Sequence, residues 1–190
     1  DNDLVLADAW NLADWRWDNQ PGYLTLRAPG NLTLQGNLSD GFVQSGTVLG
    51  QLDGDSWSYD LVAGADLASV LAGGVRGRLL DAPATGVLEL GDGLLIRTGT
   101  GDIRLVAAND LILGGPTSTI YTAGVAARQA VNVGTFRANW SRDGGDISLA
   151  AGRDIVATLP SQVLSGWNVR NLGSSGRAQW AIDYGRFRQG

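Results

Sequence analysis

An alternation of apolar residues that ends in a tight corner occurs four times in this chain. In the clearest copy, Ile103, Leu105 and Ala107 stand two residues apart, so their side chains share one face of an extended strand. A corner at 108–110 follows, and Leu111 begins a second short strand. The same internal register, with Asn or Asp before an aliphatic residue, recurs in segments 24–32, 59–67, 103–111 and 147–155. The repeated unit is therefore strand, corner, strand.

The spacing of the copies predicts the fold class. Their first residues are 35, 44 and 44 positions apart. Repeats of this size are typical of solenoids and arrays, and if one coil takes about 20 to 22 residues, consecutive copies lie about two coils apart. We therefore expect an all-β chain in which residues 1–190 form a single β-solenoid segment of a larger protein.

The composition favours strands and corners over helices. The chain has 28 Gly and 18 Asp but a single Glu and no Lys, and Glu and Lys are the usual helix-surface residues. A net charge of −5 gives no electrostatic reason to bind nucleic acid or an anionic membrane surface. No run approaches the ~18 apolar residues of a membrane-spanning helix. We expect neither nucleic-acid binding nor membrane insertion.

The reactive side chains exclude most kinds of enzyme. Without His, Cys or Lys, the chain cannot build a Ser-His-Asp triad, a Cys-His pair, a lysine Schiff base or a usual zinc site. Asp53 and Asp55 could suggest a calcium loop or an acid/base pair, but the further ligands are missing, which favours an exposed turn. Gly99 and Gly101 match only part of a dinucleotide-binding fingerprint. We expect no catalytic residue, no metal and no cofactor.

Two tryptophans near the start of the chain are the candidate binding residues. Trp15 and Trp17 share a face if their segment is extended, which would provide a stacking platform for sugar rings. The competing interpretation is structural. In it, the two rings form an apolar plug over the end of a coil or the inner wall of a lateral loop.

Two further regions depart from the repeat. Residues 68–85 show no strand alternation and contain Gly73, Gly74 and Pro83, which predicts a lateral loop. Residues 160–190 intersperse aromatic residues with Arg. We expect this end region to form cation–π pairs inside the structure rather than a strip for nucleic acid.

Seven short strings, in order over most of the chain, carry a family resemblance. They lie at 21–28, 39–42, 57–66, 97–102, 120–124, 144–147 and 185–190, and they include Pro-Gly-Tyr-Leu-Thr-Leu-Arg-Ala and Trp-Ser-Tyr-Asp-Leu-Val-Ala-Gly-Ala-Asp. Together they resemble the large filamentous haemagglutinin family exoproteins of Gram-negative bacteria.

The resemblance implies a long right-handed parallel β-helix with lateral loops that is secreted through an outer-membrane exporter of the two-partner type. It implies an adhesin at the cell surface or outer membrane, with a host or bacterial surface receptor or glycan as partner. It also fits the stalk of a contact-dependent growth inhibition toxin system. The exporter-recognition region and any toxin of this family lie near opposite ends, and the present residues match neither. The exporter is therefore expected to act on regions outside this fragment.

From the residues themselves, a carbohydrate-binding or carbohydrate-cleaving β-helix remains the alternative. Asp, Tyr, Ser and Arg could act on a polysaccharide in a long groove, although hydrolysis needs two carboxylates at a fixed separation and no clustered motif supplies them.

Far-UV circular dichroism of the chain should show strand and almost no helix, because no segment sustains a 3.6-residue apolar period. A helical double minimum accounting for about a third of the residues, an ordinary helix content, would contradict the solenoid interpretation.

Overall fold

Nineteen β-strands and one short 3-10 helix make up the regular structure of the residues that the computed structural model describes. These residues are 2–45, 48–70, 74–75, 85–125, 131–133, 136–138, 141–158, 168–172 and 178–182. The strands are β1 (Leu4–Leu6), β2 (Trp10–Asn11), β3 (Tyr23–Ala28), β4 (Leu32–Leu34), β5 (Leu38–Ser39), β6 (Phe42–Ser45), β7 (Val48–Gln51), β8 (Ser58–Ala63), β9 (Leu88–Leu90), β10 (Leu95–Thr98), β11 (Ile103–Ala107), β12 (Leu111–Leu113), β13 (Thr119–Thr122), β14 (Val131–Val133), β15 (Phe136–Ala138), β16 (Ile147–Ala151), β17 (Ile155–Ala157), β18 (Asn168–Leu172) and β19 (Ala178–Ile182). The 3-10 helix spans Leu12–Asp14. The expectation of a nearly helix-free chain is confirmed for these residues, and none of them belongs to a helix that is long and apolar enough to cross a membrane.

Most of the strands belong to three parallel sheets. The first sheet has the order β1-β4-β9-β12-β17, the second has β2-β5-β10-β13, and the third has β3-β8-β11-β16. Along the chain, strands enter the first, second and third sheets in turn, and this order then repeats. Every neighbouring pair within these sheets is parallel. We call one passage through the three sheets a circuit, and the arrangement is compatible with a β-solenoid.

The four repeat copies lie side by side in the third sheet. Leu24 pairs with Tyr59, Tyr59 with Ile103, and Ile103 with Ile147. Each copy is therefore one circuit from the next. The expectation that the copies lie two coils apart is wrong.

The long spacing of the copies comes from excursions between strands. Leu88 pairs with Leu111, 23 residues later, which is the length of a circuit without a long excursion. The connection from the second to the third sheet is short at 99–102, but it is long at 12–22, 40–57 and 123–146. The connections at 40–57 and 123–146 lengthen the first and third spacings of the copies, and the segment 64–87 between β8 and β9 lengthens the second, while the strands stay in register.

One hydrophobic cluster takes side chains from all three parallel sheets. Leu34 of the first sheet, Ile96 of the second and Leu105 of the third are each 0% exposed and belong to it. Leu105 therefore faces inward, as the alternation predicts. Leu149 is its partner in register, and it is only partly buried because β16 is the last strand of its sheet.

Asn and Asp at the corners tie successive circuits together. The Asp3 carboxylate accepts a hydrogen bond from the Asn31 backbone N–H at 2.7 Å, and the Asn31 amide oxygen accepts from the Val87 N–H at 3.0 Å. At another corner the Asp102 carboxylate accepts from the Asp146 N–H at 2.8 Å. These acceptors satisfy corner N–H groups that lie beside the strand ladders.

The outward face of the third sheet is partly covered. Arg104 donates to the Asp60 carboxylate at 2.7 Å, and Asp60 is only 2% exposed. Val62 and Val106 form a small buried cluster with Ala65 on this side. Arg104 is therefore not a free cation on a solvated face, because its side chain, 38% exposed, pairs with a buried carboxylate.

The excursion after β8 begins and ends at one point. Gly64 and Gly86 both have positive φ, and a Cβ on Gly86 would lie 2.9 Å from the Gly64 Cα. Beyond this pinch, the Asp66 N–H donates to the Gly74 carbonyl at 2.9 Å. The predicted lateral loop at 68–85 falls in this excursion, and 71–73 and 76–84 lie outside the described residues.

Other described strands form additional sheets. β6 and β7 make an antiparallel pair, and β14-β15-β19-β18 make a mixed sheet. Within the end region 160–190, β18 and β19 pair antiparallel. The side chains of this region lie outside the described part of the chain, so the expected cation–π pairs stay a prediction.

Replacing Leu105 by Asp should lower the free energy of unfolding by about 3 to 5 kcal/mol, because a packed side chain is lost and an unpaired charge is buried. The measurement is a urea titration, with limited proteolysis to locate the damage. Ser148→Thr is the control, since Ser148 is exposed and pairs in register with the outward Arg104. It should change stability by no more than about 0.5 kcal/mol. Equal stability of the two variants would contradict the inward position of Leu105.

Alkaline pH should destabilise the fold through Tyr59. This side chain is 0% exposed, and its hydroxyl donates to the Arg97 carbonyl at 3.1 Å. Burial, reinforced by the nearby Asp40, raises the pKa of Tyr59 far above its ordinary value of 10.0. The folded state thus holds this proton to higher pH than the unfolded state. The resulting stability is complete below about pH 10 and declines as the pH rises further.

We therefore expect the free energy of unfolding to fall between about pH 10 and 12, and to fall less steeply in Tyr59→Phe. Urea titrations across this range measure the slope. Tyr23→Phe is the matched control. Burial also raises the pKa of Tyr23, but its ring is 61% exposed, so the slope of this variant should stay close to that of the parent chain. Identical slopes for the parent chain and Tyr59→Phe would show that Tyr59 does not control the effect.

Candidate functional site

The connection from β2 to β3 folds back on the body of the protein. The Asn11 side chain accepts a hydrogen bond from the Ala13 N–H at 3.2 Å and caps the short 3-10 helix. Leu12, only 1% exposed, anchors this helix in the core. The Trp15 N–H donates to the Leu12 carbonyl at 3.0 Å and ends the turn. The connection is thus fixed before it reaches the candidate tryptophans.

A tight turn then presents Trp17. The Gln20 N–H donates to the Trp17 carbonyl at 2.9 Å, and the central residues Asp18 and Asn19 have φ of 49° and 59°. Positive φ at both central positions is typical of a type I′ turn, and Asp and Asn tolerate this conformation better than most residues. The turn leaves the Trp17 side chain 90% exposed.

Arg16, between the two tryptophans, clamps the connection to the next circuit. Its Nη2 donates to both carboxylate oxygens of Asp40, at 2.9 and 2.8 Å. Nη1 donates to the Asp55 carbonyl at 2.9 Å, and Nε donates to the Ala13 carbonyl at 3.1 Å. The Arg16 side chain is 11% exposed and that of Asp40 is 0% exposed. An ion pair that is removed from water and supported by two further hydrogen bonds of the same guanidinium holds Arg16 in place, so Trp15 and Trp17 flank a fixed point.

Trp57 provides the opposite wall. Its backbone N–H donates to Asp40 at 2.7 Å, so one carboxylate positions Arg16 and Trp57 together. Its ring lies against Gly22, where a Cβ would come within 2.5 Å of Cη2. A side chain at residue 22 would therefore displace the Trp57 ring. The indole Nε1 is buried and has no hydrogen-bond partner among the described residues.

These residues line an open surface cleft of about 580 Å³. Such a volume lies within the ~300–1,000 Å³ of common small-molecule sites. The aromatic lining is Trp15, Trp17 and Trp57, and the charged lining includes Asp14, Arg16 and Asp18. Trp15 is 57% exposed, and its ring packs on Trp10 at a centroid distance of 5.7 Å. The cleft therefore combines supported apolar surfaces with carboxylates.

The structure differs from both sequence-based interpretations of the two tryptophans. Trp15 follows a 3-10 helix and Trp17 begins a tight turn, so their segment is not an extended strand. Both rings are too exposed for the buried plug or inner wall that was the competing interpretation. The two residues nevertheless line one cleft.

Sequence reasoning missed Trp57, Gly22 and the Arg16–Asp40 pair. These contacts join different circuits, and no local spacing indicates them. Asp53 and Asp55 are exposed, as expected for a turn, and Asp55 contributes its backbone carbonyl to the site.

The chemistry of the cleft is that of binding by stacking and hydrogen-bond acceptance. Asp14 and Asp18 offer carboxylate oxygens, while Arg16 uses most of its N–H groups within the protein. Within the part of the chain that the structure describes, no group of three or more His, Cys, Asp or Glu side chains could hold a metal ion.

Comparison with known proteins found no matching family model and no significant match among curated proteins or solved structures. The filamentous haemagglutinin resemblance therefore stays a prediction.

Replacing Asp40 by Ala should destabilise the fold by about 3 to 5 kcal/mol, because Arg16 would be left nearly buried without its anion. A urea titration measures the loss. Asp8→Ala is the control, since Asp8 is exposed, and it should stay within about 0.5 kcal/mol of the parent chain. An Asp40→Ala variant as stable as the parent chain would mean that the Arg16–Asp40 pair does not hold the connection in place.

Proposed function

We propose that residues 1–190 belong to a right-handed parallel β-helix that serves as a structural and adhesive segment of a large secreted bacterial exoprotein, similar to filamentous haemagglutinin. The observation that carries the proposal is the fixed cyclic order in which the chain enters three parallel sheets with matched register. Stacked circuits of this kind extend in one direction, since each contacts its nearest neighbours. A shaft is the natural product of such stacking.

The right-handed course is supported by a general rule. Connections between parallel strands of one sheet are right-handed in about 98% of cases, because of the twist of the strands. Each circuit here connects neighbouring parallel strands of the same sheet. The family resemblance points to the same hand.

The adhesive role is supported by the placement of the long connections. Those at 12–22, 40–57 and 123–146 all join the second sheet to the third. They occupy the same corner of the first, second and fourth circuits, and the tryptophan-lined cleft is built from the first two. A shaft that carries three long connections at the same corner presents them on one side, while the excursion after β8 leaves from the corner between the third and first sheets.

In this proposal the protein is exported through an outer-membrane exporter of the two-partner type, by way of regions outside these residues. It acts at the cell surface, where its partner is a receptor or glycan on a host or bacterial cell. The absence of Cys is compatible with this compartment. The stalk of a contact-dependent growth inhibition system would use the same shaft.

Carbohydrate binding is the second candidate, and the exposed tryptophans favour it. Carbohydrate cleavage is its catalytic variant. Release of reducing ends from neutral or uronate polysaccharides by the chain would support cleavage, particularly if Asp14→Asn or Asp18→Asn abolished the release.

Antibodies against the 190-residue chain test the proposed location and role. On intact cells of the producing bacterium, we expect labelling without permeabilisation and reduced adherence after the antibodies bind. Labelling that required permeabilised cells would contradict surface exposure, and unchanged adherence of labelled cells would contradict the adhesive role. Antibodies against a cytoplasmic protein of the same cells provide the control.

A further inference from the structure

The cleft between the long connections at 12–22 and 40–57 has an unusually exposed aromatic surface. Trp17 is 90% exposed and Trp15 is 57% exposed, although Trp is normally well buried in a folded protein. Both rings line the same cleft as Trp57. Apolar ring faces that stand in water at a concave surface gain free energy when a flat apolar partner covers them.

The Trp15 ring and the backbone that carries Trp17 are held before any ligand arrives. Trp15 rests on Trp10, Arg16 is fixed by the buried Asp40, and a two-residue turn sets the backbone at Trp17. Binding therefore has to order the exposed Trp17 ring but not Trp15 or the connection itself, which reduces the entropic cost of association.

The polar groups of the cleft narrow the chemistry of the ligand. Asp14 and Asp18 accept hydrogen bonds and cannot donate them when ionised. Arg16 has its charge balanced by Asp40. A fitting ligand thus offers several donors beside a flat apolar face and carries no negative charge.

We propose that this cleft is a binding subsite for neutral sugars, in which pyranose rings stack on Trp15 and Trp17 and their hydroxyl groups donate to Asp14 and Asp18. A pyranose ring combines an apolar C–H face with hydroxyl donors around its edge. The inference rests on the proposed adhesive function and names the ligand class of that function.

Two other classes of ligand, anionic molecules and proline-rich peptides, fit these groups less well. Uronate and sialylated sugars, like nucleic acids, bring negative charge to a cleft that already contains two carboxylates. A proline-rich peptide offers carbonyl acceptors, since proline has no N–H, and would find carboxylate acceptors facing it.

Isothermal titration of the 190-residue chain tests the proposal. The probes are the neutral oligosaccharides cellohexaose, maltohexaose, chitohexaose and galactohexaose, with hexagalacturonate and sialyllactose as anionic sugars and decaproline as the peptide. We expect at least one neutral oligosaccharide to bind, with quenching or a shift of tryptophan fluorescence, and the anionic sugars and decaproline to bind at least ten-fold more weakly.

Variants of the cleft assign the binding to its residues. Trp17→Ala should weaken binding of the neutral sugar at least ten-fold, equivalent to about 1.4 kcal/mol. Trp17→Phe should restore most of it by keeping an aromatic face. Because Trp17 is 90% exposed, the substitution should leave the fold intact, and a thermal melt verifies this. Leu67→Ala is the control, as Leu67 is also exposed, at 57%, but lies outside the cleft.

Replacing one carboxylate of the cleft tests whether its charge disfavours anionic sugars. Asp18→Asn preserves a residue that tolerates positive φ while it removes one negative charge. The substitution should weaken binding of the neutral sugar and reduce the difference in affinity between neutral and anionic sugars.

The proposal is overturned if none of the neutral probes binds at up to 5 mM, if Trp17→Ala binds as well as the parent chain, or if decaproline or an anionic sugar binds more tightly. These outcomes are separate from failure of the proposed function. Cells that are labelled on their surface and lose adherence with the antibodies, while the chain binds no sugar, would retain the adhesive role and reject the sugar subsite.

Discussion

Matched register between parallel strands is the constraint on which the rest of this structure depends. Ile103 pairs with Tyr59 on one side and with Ile147 on the other, and the same alignment continues for five residues along the strand. Because side chains alternate across a strand, a slip of one residue would turn Leu105 out of the core and bring Arg104 in. The corner acceptors oppose such a slip. Asp102 receives the N–H of Asp146 only when the two circuits are aligned.

The corner before the first sheet shows how this constraint survives an insertion. The aligned positions there are Asp3, Asn31, Val87, Asp110 and Asp154. Val87 has no acceptor in its side chain, and it lies where the long excursion after β8 returns. The preceding acceptor holds this return, because the Asn31 amide oxygen accepts from both Gly86 and Val87 at 3.0 Å. Alignment is thus restored at the first residues after the excursion.

The sequence contains the local half of this information. The alternation at 103–107 and the Asn or Asp after each corner predicted strands, the inward face and the equivalence of the four copies. The length of a circuit could not be obtained from the copies, because the excursions add residues at corners and hide the 23-residue spacing of Leu88 and Leu111. The burial of Asp60 was equally hidden, since Asp60 lies on the outward face of its strand, where the alternation predicts exposure. At the site, the sequence identified Trp15 and Trp17 but gave no sign of Trp57, whose contact with Gly22 joins two circuits.

The same separation between strands and corners explains how a repetitive structure can carry a specific site. Register is decided by the strands, so lengthening a corner costs mainly loop closure, about 0.6 kcal/mol for each doubling of its length. A longer corner alone would be mobile and poorly suited to hold aromatic rings in place. Here a buried ion pair removes that freedom, because Asp40 stands at the corner of one circuit and receives Arg16 from the connection of the previous one. The desolvation cost of this pair is offset by the two contacts of Arg16 Nη2 with the carboxylate and by the additional hydrogen bond from the Trp57 N–H. The Arg16–Asp40 pair thus makes a long connection into a rigid surface, and the pairing of the strands in the parallel sheets is unaffected.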